Sequence, residues 1–428
     1  MADFDVIVVG AGYAGTVAAY ELAKAGKSVL VVERGNYAGA KNMTGGRIYS
    51  HSLKKVFPNF EQDSPVERRI THERISLMDP EANFTIDFTS KALKQEGQDS
   101  YSVLSAVYDQ WLAEQAEEAG AEIIYGIPVE DLIMEGDSVK GVIAGEDSLT
   151  ADITILADGV NSLLTAKAVG AKKPKPSEIA VGVKELIELP SGVIEDRFLC
   201  NPGEGAAWLF AGDATHGHIG GGFMYTNKDS ISLGLVATIS DLTGATRPIY
   251  QMMEDFKKHP AVAPLVRGGK VVEYSGHMVS EGGYAMVPKL VANGCMVTGD
   301  AAMLCMNLGY CVRGMDFAVA SGQMAAQAAV EALDAGSVDE ASLHRYVDLL
   351  ENSFVLRELK QYRRFPHFME STTRIFKEYP AMVKEIMNSM FVVDGKPADP
   401  LKKKIMNPVK EVGVTTVLKD AMGGMKAL

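Results

Sequence analysis

Cysteine is scarce in this chain: Cys200, Cys295, Cys305 and Cys311 are the only four in 428 residues. None stands in a CxxC pair, and no histidines or further cysteines crowd Cys305 and Cys311. That spacing argues against a zinc knuckle or a redox dithiol and reads as buried thiols. Positive charge is also short. The 42 Lys and Arg against 55 Asp and Glu leave a net charge of −13, which disfavours nucleic acid as a general partner. No apolar run is long enough to cross a bilayer. The N-terminus lacks a basic region followed by an apolar stretch and a cleavage site, so a cytoplasmic protein is expected. Nucleophile elbows, metal-ligand clusters and paired-acid motifs are missing as well, so the reactive chemistry must be carried by a bound group.

Residues 5–15, DVIVVGAGYAG, show where such a group sits. The run from Val6 to Val9 has no polar alternation, as expected of a parallel strand buried on both faces. Three glycines follow at G-x-G-x-x-G spacing. Gly10 permits the turn out of the strand, Gly12 lets the backbone approach a pyrophosphate, and Gly15 lets the next helix pack close to the sheet. That helix, expected over residues 13–25, presents its positive end to phosphate. A second strand, residues 28–32, leads into Glu33, placed to accept hydrogen bonds from a ribose diol. NAD and FAD satisfy this unit equally well.

The distant half of the chain favours FAD. Residues 290–300, LVANGCMVTGD, read as a strand ending in Gly299-Asp300. A carboxylate at that strand end can accept a hydrogen bond from the ribityl chain of a flavin, a group NAD lacks. Asn307, Leu308 and Gly309 then precede a helical run rich in alanine, residues 315–329, whose N-terminal N–H groups would favour the negative charge of reduced flavin. Between the two halves, residues 151–162 read as another buried strand ending in Asp158-Gly159. An amphipathic helix expected over residues 101–120 leads into a strand at residues 121–125.

In this order and spacing the three motifs resemble the glutathione-reductase-like FAD fold in its hydroxybenzoate-hydroxylase branch. The resemblance implies that Asp158 and Gly159 lie near the pyrophosphate and that Val129 contacts adenine through its backbone. Residues 39–47 (GAKNMTGGR), 181–188 (VGVKELIE), 220–225 (GGGFMY) and 309–316 (GYCVRGMD) narrow it: over essentially the whole chain they resemble the FixC proteins, relatives of electron-transfer-flavoprotein:quinone oxidoreductase. The resemblance implies further cofactor contacts at Tyr13, Ala14 and Arg34, and at Lys41, Asn42, Thr44, Gly45, Gly46 and Arg47. It implies a quinone pocket bordered by Gly220 and Gly221, with His216 and His218 just upstream as candidate proton donors. A sheet corner explains the glycines equally well, since glycine inside a strand marks both.

Two departures stand out. Related proteins often carry an arginine in the helix around residues 103–109, where it helps hold the cofactor phosphates or ribityl group. Here the turn reads LSAV, so a weaker grip on FAD is expected. The full-length quinone oxidoreductases also carry four cysteine ligands for a C-terminal iron–sulfur cluster. No cysteine follows Cys311 here, so the resemblance implies a separate ferredoxin-like subunit.

The expected architecture is an α/β FAD-binding domain, Rossmann-like and three-layered, with an inserted α+β substrate or quinone domain and a helical C-terminal region. The boundaries read 1–69, 101–173 and 285–345 for the FAD domain, 70–100 and 174–284 for the insertion, and 346–428 for the C-terminal region. In that last region Met382, Val383, Ile386, Met387, Met390 and Phe391 share one helical face, and lysines 402–404, 410, 419 and 426 make the tail basic. The face reads either as packing on the FAD domain or, with the tail, as a partner or membrane surface. The function expected is electron transfer through FAD from an electron-transfer flavoprotein pair, α and β subunits, to quinone or to the ferredoxin-like subunit. The expected location is cytoplasmic, including the inner face of the inner membrane. The alternatives are a self-contained flavin monooxygenase or geranylgeranyl-type reductase, and a prenyl-binding module built like a GDP-dissociation inhibitor.

Overall fold

The computed structural model describes residues 2–42 and 46–428. Its first sheet is built on the glycine-motif strand. Phe4–Val9 lies between Val29–Glu33 and Asp147–Leu156, all parallel, with Glu122–Tyr125 and Cys295–Val297 added outside them. Val6, Ile7 and Val8 have no exposed surface, which accounts for their unbroken apolar run. Helix Tyr13–Lys24 crosses from the first strand to the second, and helix Met315–Ala335 packs against it. The crossing is close because a Cβ on Gly322 would run into the Ala14 carbonyl, and a Cβ on Gly15 would run into the Gly10 carbonyl, so the first helix also lies close to the turn it leaves.

The second sheet has nine strands. Along its main path it runs Lys270–Ser280, Ile179–Glu188, Ser230–Thr238, Gly220–Thr226, Glu204–Gly212, Arg69–Asp79, Ser100–Val103 and Gly46–Tyr49, with Ala82–Thr89 paired to Arg69–Asp79. Helices Ser191–Phe198 and Ile249–Lys258 cover one face and bury Phe198, Met252 and Phe256 against Trp208, Phe210 and Met224. The other face looks toward the nucleotide-binding sheet.

The structure corrects the expected helix over residues 101–120. Ser100–Val103 is a strand paired with Gly46–Tyr49, and the helix begins only at Ser105. All four strand residues are buried; Tyr101 meets Phe60 edge-on at 5.7 Å, and its hydroxyl donates to Asp99 Oδ2 at 3.0 Å. Cross-strand burial outweighed helical spacing.

Short helices make up the C-terminal region. Helix Glu378–Phe391 lies on strands Arg69–Asp79 and Ala82–Thr89 of the second sheet, with Pro380 and Ile386 buried and a Lys384–Asp79 ion pair at 2.9 Å. Its apolar stripe is therefore split: Ile386 is covered, whereas Met390 and Phe391 are 37% and 74% exposed. Asp420, bonded by Arg374 at 2.6 and 2.9 Å and by Tyr379 at 2.6 Å, ties the last helix, Val414–Ala427, back to this layer.

Candidate active site

Between the two sheets lies a cavity of about 1060 Å³, at the upper end of the range usual for cofactor and ligand sites. Gly10, Gly12, Tyr13 and Ala14 line it from the first turn, Glu33 and Arg34 from the second strand, and Val129, Asp158 and Gly159 from the third segment. Lys41, Asn42, Gly46 and Arg47 close one side; Asp300, Asn307, Leu308 and Gly309 close another. Gly15 and Gly299 stand behind this lining in packing roles, Gly299 at φ +61° with Ala14 close by. Thr44 and Gly45 lie outside the described residues.

The local geometry explains the glycines. Gly10 has φ +100° and approaches the neighbouring strand so closely that a Cβ would sit 2.5 Å from the Ala157 carbonyl. At Gly12 the opposite holds: a Cβ would find nothing nearer than Asn42 Nδ2 at 3.9 Å, so the space above the helix start is open. That helix has no side-chain cap at Gly12, and helix Met315–Ala335 has none at Gly314, which leaves two positive helix ends free for an anion or a polar ring edge. Gly309, at φ +75°, donates its N–H to Asn307 Oδ1 at 2.9 Å, which fixes the turn ahead of the second of these helices.

The carboxylates divide into two kinds. Glu33 is engaged: its Oε2 accepts from Ala11 N at 2.8 Å and its Oε1 from Gly35 N at 2.6 Å. It braces the phosphate turn, with lone pairs left for a ribose. Asp158 and Asp300 are not satisfied in this way. Asp158 Oδ1 is sealed from solvent without a partner, and burial pushes the group up to about 6. Asp300 is wetted by the cavity yet surrounded by protein, makes no side-chain hydrogen bond among the described residues, and is also pushed up to about 6 by burial. The unengaged Asp300 carboxyl, an open cradle and uncapped helix ends fit a dinucleotide with a polyol chain. When bound here, FAD supplies redox chemistry, accepting electrons singly or in pairs.

The structure also places residues that the sequence reading did not single out. Ser105, in the LSAV turn, lines the cavity. Beneath it Asp109 is fully buried, accepts a hydrogen bond from Asn42, and is pushed up to about 8 by burial. Tyr225, Thr238, His277 and Glu281 line the cavity from the second sheet and the segment that follows it. Burial raises Glu281, and the hydrogen bond from Thr238 Oγ1 at 2.7 Å opposes that rise. Burial lowers His277, helped by Arg34. Phe365, Phe368, Ile375 and Phe376 form a wall, so the C-terminal region builds part of the site.

The proton-donor candidates lie elsewhere. His216 pairs with Asp255 at 3.3 Å and His218 with Asp241 at 3.2 Å, and neither lines the cavity. Gly220 and Gly221 do line it, but their missing side chains already have a structural reason. A Cβ on Gly220 would run into the Val236 carbonyl, and one on Gly221 would lie 2.5 Å from the Phe210 carbonyl.

A two-sheet frame, an open phosphate turn and paired strand-end acids define an FAD-dependent oxidoreductase, and the comparisons with known proteins agree. Residues 5–171 match the family model for FAD-dependent oxidoreductases, residues 179–279 the ubiquinone-binding domain of ETF-QO, and residues 365–428 the C-terminal domain of the ETF-QO/FixC family. The chain is 51% identical to the probable electron transfer flavoprotein-quinone oxidoreductase YdiS of Escherichia coli and 48% identical to protein FixC of the same species, each over 99% of both chains. It belongs to the ETF-QO/FixC family. Among solved structures, a geranylgeranyl bacteriochlorophyll reductase-like protein from Thermoplasma acidophilum matches with TM-score 0.73 at 19% identity, covering 97% of this chain and 98% of that one. The myxobacterial halogenase CndH matches with TM-score 0.66 at 16% identity, covering 96% and 97%. These two likenesses show the shared fold.

Proposed function

We propose that this chain carries electrons through FAD from an electron-transfer flavoprotein pair to a quinone, with a small ferredoxin-like iron–sulfur protein as a further partner. One observation carries the reading: the cavity that holds the dinucleotide motifs runs on over an apolar sheet floor contributed in part, through Leu209 and Phe223, by the segment matching the ubiquinone-binding domain. Ile75, Leu77, Leu209 and Phe223 form that floor, a surface suited to a flat, weakly polar ring. Among the described residues no helix is long and apolar enough to cross a membrane, so contact with a bilayer would be peripheral.

The test is reconstitution. The purified chain, yellow with FAD, should reduce a short-chain quinone slowly with NADH alone. Addition of an electron-transfer flavoprotein pair should make NADH-driven quinone reduction fast. The reading fails if the isolated chain rapidly oxidises NAD(P)H and hydroxylates or saturates an organic substrate unaided, the behaviour of a monooxygenase or a reductase. A folded, colourless protein that refuses FAD would instead support the prenyl-binding alternative.

A further inference from the structure

The floor of the cavity has one polar end. Side chains alternate along a strand, so residues 221, 223 and 225 share a face. In this sheet that face is the cavity side: Gly221, Phe223 and Tyr225 line the cavity, whereas Met224 is buried in the core on the other side, and a Cβ on Gly222 would meet Phe256 at 2.7 Å. Register extends the same face across the neighbouring strands. Phe223 stands opposite Leu209, and Leu209 opposite Ile75, so the floor is apolar along this line.

Two residues along the strand from Phe223, Tyr225 brings a hydroxyl to this floor. Its ring is 5.6 Å from that of Phe223, tilted by 31°, so the two form a continuous aromatic surface. The hydroxyl makes no hydrogen bond among the described residues, and it is not among the polar atoms sealed in the core. Burial pushes the group up to about 12, with nearby Arg47 opposing the rise, so it keeps its proton at neutral pH. Arg47 is itself held still: its guanidinium forks onto Glu73, with Nη1–Oε2 at 2.9 Å, and its Nε donates to Ser100 Oγ at 2.9 Å. A protonated donor that makes no hydrogen bond among the described residues therefore stands at the edge of an apolar chamber. In such surroundings an unmade hydrogen bond is costly and a made one is strong.

We propose that the Tyr225 hydroxyl donates a hydrogen bond to a carbonyl oxygen of the quinone and so seats its ring on the Phe223 floor. A quinone headgroup is a flat apolar ring that carries carbonyl acceptors and, while oxidised, no donors. It needs an apolar surface with a donor at the edge, and this end of the chamber provides both. The proposal rests on the reading of the chain as a quinone reductase.

The experiment uses the full FAD-loaded chain and a ubiquinone analogue with one isoprene unit. Tyr225→Phe removes the hydroxyl and keeps the ring, so packing and folding are preserved. Quinone affinity, measured by titration of flavin fluorescence, should weaken about three- to tenfold, the worth of one neutral hydrogen bond. The KM for quinone should rise more than kcat falls, while FAD content and the flavin absorption spectrum stay as in the parent. A variant that binds quinone like the parent overturns the proposal. So does one whose flavin spectrum or content shifts while quinone affinity holds, because the hydroxyl would then serve the cofactor. A parent protein that neither binds nor reduces the quinone fails in a different way, by removing the functional reading itself.

Discussion

At the scale of single residues, the acid just beyond strand Cys295–Val297 bears most on cofactor hold. The Asp300 carboxyl makes no hydrogen bond among the described residues and is pushed up to about 6 by burial. A hydrogen bond accepted by its carboxylate from the ribityl chain is worth about 1.5–3 kcal/mol, so Asp300→Ala should weaken FAD binding by about one to two orders of magnitude and leave a folded, paler protein. The sign of the pH dependence follows. Below about 6 the free carboxyl holds a proton that it must release to accept as a carboxylate, so affinity should fall as pH drops from 7 to 5. Asp300→Asn should flatten that slope. Equilibrium titration with FAD at several pH values checks both, and unchanged affinity in Asp300→Ala removes the residue from the site. Gly10, Gly12, Asp158 and Asp300 were legible in the sequence because tight turns and strand ends restrict which residues can stand there. Ser105, Tyr225 and Glu281 were not, since a lone serine, tyrosine or glutamate carries no spacing signal until the fold brings it to the cavity.

At the scale of elements, the join between the flavin-side turn and the C-terminal helices depends on Arg313. It closes the hairpin of Met306–Asn307 and Val312–Arg313, donates to Asp316 Oδ2 through Nε at 2.8 Å and also through Nη2, and donates through Nη1 to Glu358 of helix Phe354–Gln361. Its guanidinium also lies 4.8 Å from the Phe317 ring and 5.2 Å from that of Phe354. Asp316 is 1% exposed, so Arg313→Ala would leave a buried carboxylate whose one remaining side-chain partner among the described residues is His51, at 3.1 Å. Removing one partner of a buried pair costs about 3–5 kcal/mol. Thermal unfolding of Arg313→Ala should show a loss on that scale, and Arg313→Ala combined with Asp316→Asn should recover part of it. Equal losses in the single and double variants would mean that the charge pair is not the cause. The strands and crossover helix of the nucleotide sheet were readable from apolar runs and glycines. The strand Ser100–Val103 was not: it is buried between Arg69–Asp79 and Gly46–Tyr49, the latter more than fifty positions earlier, which local periodicity cannot register.

At the scale of the whole molecule, an acidic chain ends in a layer that is both apolar and basic on its outside. Phe391 is 74% exposed, Val393 89%, Leu418 57% and Met425 73%, and lysines 402–404, 410, 419 and 426 fall within the same region. The inner side of this region already has its role, since Phe365, Phe368 and Phe376 wall the cavity and Ile386 packs on the second sheet. The outer side has no covering element among the described residues, and exposed apolar surface mixed with cations suits a partner protein or an anionic bilayer. Phe391→Asp combined with Val393→Asp should therefore reduce recovery of the electron-transfer flavoprotein pair in pull-downs, or sedimentation with anionic vesicles. The flavin spectrum and the unfolding temperature should stay within error, because neither side chain supports the core. Raising the salt concentration should weaken the parent's association in the same assay, as expected where lysines contribute. If the double variant keeps both associations at parental strength, this face is not an interface, and the partners must meet the chain elsewhere.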